Sequence, residues 1–411
     1  MNALLSLLLV TFASPDVVPV AEAAVVPVSL SLDSEPESAL TAVQDELLEL
    51  AFGAASALPL EPHIKNRARS QEAVVLACLA LDQPERALRY AEQIPNWRKG
   101  ACFAEYAAYR AERGELDDVF TYLDLAHEIS EGSEGELKQA WRRDRIRAKI
   151  AKTYSLLGQT AQAARFAAGL SESEVGEVAL AEARLTSPDA MEERLAQLER
   201  ALGVGEFEGT KTSIFAMAEL HRTFYADEEK RALIESRIQA SDAKLPVLLR
   251  LDARMELVET ALDADDHVEA RRLVDEALEV FFSYKWQAEH GVPIKARLAA
   301  LRHRAGDEAG ALKELEAALG MYDAGERTII GMFRAATLRP VAEAYSQIGR
   351  EEEARETYRR VVELGAVNPN ARPRAMDLAA TCASMAVNGF GPSDELLERV
   401  RALESGLGDP W

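Results

Sequence analysis

Outside residues 17–28, apolar and polar positions in this chain do not alternate as they would in a half-buried strand. Two stretches show what organises the chain instead. Residues 150–167 read IAKTYSLLGQTAQAARFA, and residues 341–358 read VAEAYSQIGREEEARETY. Both carry Ala at place two, Tyr-Ser at places five and six, Gly at place nine and Ala at place fourteen. This spacing predicts a helix, a tight turn and an antiparallel helix. Ala at places two and fourteen lets the two helices approach closely. Gly at place nine accepts the backbone conformation that ends the first helix.

With place nine as anchor, further copies appear. Residues 298–315 keep Gly306 and Ala311, and residues 106–123 keep Gly114 with Val119 at the Ala place. Residues 74–91 and 257–274 put Asp82 and Asp265 at the anchor, followed by Ala87 and Ala270. A copy at 218–235 aligns on Asp227 and Ala232, and a weaker pair surrounds Thr186-Ser187-Pro188. Pro84, Glu85, Asp117, Asp266 and Asp307 suit the start of each second helix. One such pair cannot bury its apolar face alone, so neighbouring pairs are expected to stack. Residues 39–57 read as an amphipathic helix capping the first repeat. Pro392-Ser393-Asp394 open a last helix through residue 404, with Arg399 and Arg401 on its outer face. The glycines around 203–210 suggest a hinge within an array spanning 39–411.

The pattern resembles the tetratricopeptide repeat family, with Tyr154, Gly158 and Ala163 in one copy and Tyr345, Gly349, Ala354 and Tyr358 in another. The resemblance covers roughly residues 62–405. It implies an all-α, right-handed α-solenoid of about eight antiparallel helix pairs, binding a peptide or protein segment in a concave groove. Anchor spacings of about 29 to 44 residues, against about 34 in that family, leave a HEAT-like scaffold as the alternative.

Composition supports helix. Hydrophobic residues make up 48% of the 411, mostly Ala, Leu and Val, and aromatics only 6%. The net charge of −22 would repel a phosphate backbone, so no nucleic-acid partner is expected. Cys78, Cys102 and Cys382 show no zinc spacing and read as buried structural thiols. Residues 1–23 resemble a signal peptide, with an apolar run from Ala3 to Ala13 and Ala21-Glu22-Ala23 as the cleavage site. No basic residue precedes that run, and it is too short to span a bilayer. With a flexible linker at 24–38, the expected location is periplasmic or secreted, with the cytoplasm as alternative.

Candidate chemistry is sparse. GEFEGTKTS (205–213) lacks the Gly-Lys-Ser/Thr order of a phosphate loop. DADDH (263–267) lacks the Gly and Glu of a calcium loop, offering Val268 and Val274 there. SDAK (241–244) has no companion motif, and the six histidines never pair at zinc spacing. No metal or cofactor is therefore expected. A carbohydrate-active α/α-toroid is the enzymatic alternative, and it would need two convergent acids. The local charge reverses in KQAWRRDRIRAKIAK (138–152), where Arg145, Lys149 and Lys152 form one helical stripe suited to an acidic peptide segment. FFSYKWQAEHGVP (281–293) is the densest aromatic cluster, with Phe281 and Phe282 read as core and Tyr284 and Trp286 as groove anchors. Together these features predict a non-enzymatic scaffold for protein or peptide partners.

Overall fold

The structure, a computed structural model, describes residues 40–132, 139–202 and 207–411. The expected signal peptide at 1–23 and linker at 24–38 lie outside these residues. Every regular element among them is helical. A first helix, α1 (Ala42–Ala57), is followed by α2 (Leu60–Ala80) and α3 (Pro84–Ala91), then α4 (Arg98–Glu112) and α5 (Val119–Glu131). The chain continues through α6 (Ala140–Leu156), α7 (Thr160–Ala167), α8 (Gly176–Arg184), α9 (Met191–Leu202), α10 (Phe207–Thr223) and α11 (Glu228–Ala240). Next come α12 (Val247–Asp263), α13 (His267–Phe282), α14 (Ala288–Arg304) and α15 (Glu308–Gly325). The last four are α16 (Arg334–Gln347), α17 (Glu351–Ala366), α18 (Ala371–Val387) and α19 (Asp394–Ser405). After α1, the helices fall into nine consecutive pairs among the described residues.

The turns explain the repeat. Asp82, Gly114, Gly158, Asp265, Gly306 and Gly349, all anchors read from the sequence, have φ between 55° and 86°. Gly389 joins them at 60°, between α18 and α19. In six of these turns the N–H after the anchor donates to the carbonyl five residues back. Gln159 to Tyr154 and Arg350 to Tyr345, both at 2.9 Å, are two examples. That bond satisfies a carbonyl left open by the helix end. The Ala residues after the turn do what the spacing predicts, since Ala87, Ala270, Ala311 and Ala354 have no exposed surface. Ala151 and Ala342, at place two, are equally buried.

Two details differ from the sequence reading. Ala232 is exposed while Ile234 is buried, because Asp227 is the N-cap of α11, its side chain accepting from the Lys230 N–H, and is not a left-handed turn residue. Phe282 is 61% exposed at the end of α13, and Phe281 alone enters the core. Of the glycine-rich segment at 203–210, residues 207–210 are the first turn of α10. Residues 203–206 lie outside the description.

The chain divides into two compact units. Unit 2, Lys99–Lys285 with Arg304–Asp307, holds most of α4 and all of α5 to α13. Within it the first helices of successive pairs, α6, α8, α10 and α12, pack on one another in order. Unit 1 is built from both ends of the chain, residues up to Arg98 with Trp286–His303 and Glu308–Trp411. There α1 packs on α2 as a cap would, but also against α18 and α19. The Gln44 side-chain amide donates to the Ala386 carbonyl at 3.0 Å, and Arg401 pairs with Glu46. Helix α18 (ARPRAMDLAATCASMAV) is buried along almost its whole length, surrounded by α1, α2, α16, α17 and α19. Its small Ala, Ser, Thr and Cys side chains are what let so many helices reach it.

Candidate functional site

The cationic stripe sits on α6 in unit 2, and acids from the neighbouring pairs reach it. Lys149, only 5% exposed, bonds Glu105 of α4 and Glu177 of α8, the latter at 2.5 Å. Lys152 stands 3.8 Å from Glu105 and 3.9 Å from Glu177. Burial would raise the Glu105 carboxyl, but Lys149, Lys152 and Arg145 outweigh it and hold its pKa at about 2. Burial likewise opposes the charge of Lys149 and Lys152, and the same two glutamates overcome it, so both ammonium groups titrate above their ordinary value. Arg145, one turn earlier, is partly buried and adds its charge to Glu105.

The charges continue beyond α6. Arg184 of α8 lies 3.8 Å from Glu112 of α4 and donates to Glu219 of α10 at 2.8 Å. Arg222 of α10 lies 3.9 Å from Glu219 and from Glu256 of α12, and donates to Asp263 at 2.7 Å. Glu112 is the member held least firmly. Its pKa is raised, by burial first, although Lys152 and Arg184 oppose the shift, and its Oε1 has no hydrogen-bond partner. Five successive first helices thus share one face of linked, alternating charge.

The two aromatic candidates differ in exposure. Tyr284 is 56% exposed just after α13, within unit 2. Trp286 belongs to unit 1, partly buried, where its Cβ lies so close to Gly291 that a Cβ there would come within 2.6 Å. The remaining motifs have structural duties. Asp265 makes a left-handed turn, Asp266 caps α13, and Asp242 of the SDAK segment pairs with Arg254. All three cysteines are free and buried, and burial pushes Cys78 up to about 12. No group of three or more His, Cys, Asp or Glu suited to a metal occurs among the described residues.

A second feature, in unit 1, was not singled out by the sequence. A cavity of about 240 Å³ opens between α17, α18 and α19. Its wall is apolar except for Arg374, Asp377 and Thr381 of α18. Asp377 is 3% exposed. Its Oδ2 accepts from the Asn368 side-chain amide at 3.2 Å, and its Oδ1 is buried without a partner. Burial raises its pKa to about 7, against the opposing pull of Arg339 and the Asn368 hydrogen bond. Burial also raises Glu343 of α16, which accepts from the Ser384 hydroxyl at 2.6 Å. Arg339 of α16, 3.6 Å from Glu343, opposes the shift of both acids, so the two share one cationic neighbour. The signal for Asp377 was faint: one carboxylate inside an otherwise small, apolar helix.

No family model matches the chain, and no curated protein does either. Among solved structures the similarity is to another repeat protein. It is described as a circular tandem repeat protein with novel repeat topology and enhanced subunit contact surfaces, and is 17% identical over 89% of this chain and 94% of that one. The TM-score is 0.26, too low for the two helix arrangements to be equated, so the fold rests on this chain's own turns and pairs. This chain is a helical repeat protein. None of the helices searched among its described residues is long and apolar enough to cross a membrane.

Proposed function

We propose that this helical repeat protein is a non-enzymatic interaction scaffold of the tetratricopeptide type, and that it binds an acidic segment of a peptide or protein along the first-helix face of unit 2. The observation carrying this reading is the row of linked charges from α4 to α12. Partly buried ion pairs cost desolvation, and apolar residues of similar volume would stabilise the helices at least as well. Charge arranged over successive repeats does contribute specificity and register in recognition. Lys152, Arg184 and Arg222 keep 15–29% of their side chains exposed. A partner carboxylate can therefore reach them and compete with the resident acids. A right-handed superhelix would display such a face along its groove. The N-terminal segment fits export to the periplasm or beyond, which mass spectrometry of the native protein would test by finding a mature terminus near Ala24.

The binding test uses the full chain against arrays of acidic peptides and their amide-neutralised counterparts. Acidic peptides should bind, and binding should weaken steeply with salt as exposed charges are screened over about 10 Å at 0.1 M. The variant K152Q/R184Q/R222Q should lose that binding while keeping its helical circular dichroism. Equal retention of acidic and neutralised peptides, or unchanged binding by the triple variant, would refute the reading.

A further inference from the structure

At one end of unit 1 the opening turns of α2 and α18 lie side by side. The Asn66 amide donates to Met376 Sδ at 3.4 Å, and each residue belongs to the second turn of its helix. These opening turns carry five cations, Lys65, Arg67 and Arg69 on α2 and Arg372 and Arg374 on α18, with His63 close to Arg372. None of them forms an ion pair among the described residues, whereas Arg360, Arg399 and Arg401 of the same unit all do. Arg67 and Arg374 each donate only to a backbone carbonyl, that of Leu58 at 2.9 Å and that of Asn368 at 3.2 Å. Lys65 is exposed and the other four cations are partly so. The acids of the same segments, Glu61 and Asp409, are exposed and pair with none of them.

In a chain of net charge −22, so many cations without a resident acid are a local imbalance. Two neighbours record it. Burial first and Arg372 second lower the pKa of His63, burial lowers that of Arg67, and no acid opposes either shift. The array is also wide. Lys65 and Arg67 are two residues apart and leave α2 on nearly opposite sides, as Arg372 and Arg374 leave α18. With packed helices about 8–10 Å apart, these side chains cannot all converge on one anion. They suit a surface that offers many. Apolar groups share this end. Leu60, the first residue of α2, is 49% exposed, and the partly exposed Trp411 packs with Leu407 against Leu58, Ala375 and Met376. Pro410 holds that tail in place, its carbonyl accepting from the Ala371 N–H at 2.7 Å. Cations beside an exposed leucine and an indole match the layer of lipid headgroups, where charge and aromatic rings are both accommodated. A nucleic acid or a free phosphate has no use for Leu60.

We propose that this end of unit 1 docks on an anionic phospholipid bilayer, with the five cations on its headgroup phosphates and Leu60 and the Trp411 ring in the headgroup layer. The net charge of the chain opposes such a surface at long range, but screening over about 8 Å at physiological salt leaves the local patch to decide. The patch does not depend on the charged face of unit 2, and either reading can fail without the other. Flotation of the full chain tests it with vesicles of phosphatidylcholine alone and of equimolar phosphatidylcholine and phosphatidylglycerol. The chain should float with the mixed vesicles and stay behind with the neutral ones. Each cation near such a surface strengthens binding about fivefold. K65Q/R372Q, which removes one cation from each helix and no hydrogen bond, should therefore weaken binding at least tenfold. L60S, at an exposed position, should weaken it several-fold. Recovery with neither vesicle, equal recovery with both, or wild-type binding by K65Q/R372Q would overturn the proposal. Displacement from the mixed vesicles by millimolar inorganic phosphate at constant ionic strength would mark a site for one anion, and displacement by poly-L-glutamate of matched charge would mark an acidic protein as the partner. Either result would overturn it as well.

Discussion

At the scale of single residues, burial decides what a substitution does. Ala354 and Ala163 sit where paired helices cross, 0% and 7% exposed, so changing either to Leu should overpack the crossing and cost about 1–3 kcal/mol. Ala161, on the exposed side of α7, should accept Leu almost neutrally, and urea melts of the three variants would show the contrast. Lys149 is a different case. Lys149→Met would leave Glu105 and Glu177 with the more distant Lys152, so the cost should stay below about 3–5 kcal/mol, the figure for a fully unpaired buried charge. The depressed Glu105 stabilises the fold above its unfolded pKa, and this contribution should fade as pH falls from about 4 toward 2. Asp377 has the opposite sign. With a native pKa near 7 and an unfolded one near 4, the folded chain holds the extra proton between them. Wild-type stability should therefore decline as pH rises from about 4 to 7, and D377N, which keeps the raised Glu112, Asp263 and Glu343, should decline less, which melting curves across that range would reveal. Sequence reading found the three cations of α6 because they are neighbours in the chain. It could not find the acids that meet Lys149, since these come from 44 and 28 residues away.

At the scale of elements, the turn matters more than the helix it ends. Gly158 has φ of 69°, where a Cβ is strained whatever the space around it. Gly158→Ala should cost about 1–2 kcal/mol. Asp82 already bears that strain at φ 55°, so Asp82→Gly should be neutral or mildly stabilising, and thermal melts of the two would move in opposite senses or differ clearly in size. These turns were the most legible part of the chain, because one residue with a special backbone marks each of them. The exceptions are equally physical. The α18–α19 turn at Gly389 escaped notice because Asp394, not Ala, stands five residues later. The pair α8–α9 has Leu185 in an ordinary conformation at the end of its first helix, with φ of −91°, so no anchor marks it. Helix α1 was legible as an amphipathic helix that caps the repeat beside it. Nothing in its own sequence names α18, which it reaches across a separation of 342 residues.

At the scale of the whole molecule, a net charge of −22 coexists with a face where cations and acids from successive pairs are matched. The acidic balance opposes anionic partners at long range, so the proposed recognition of an acidic segment would have to be local. The two-part composition of unit 1 has a further consequence, for the order of events during synthesis. Helices α1 and α2 are made before unit 2, yet α18, against which both pack, is made after it. Contacts that close so long a loop form slowly, whereas unit 2 has its partners close at hand in the chain. Pulsed hydrogen exchange during refolding should find amides of α6 to α12 protected before those of α1 and α2. Simultaneous protection would contradict this order. If it holds, the faces of α1 and α2 that meet α18 wait uncovered until α18 has been made, natural clients for a holding chaperone. A circular permutant that joins the last residue to Thr41 and begins at Trp286 would make α14 to α19 continuous with α1 to α3 and remove the wait.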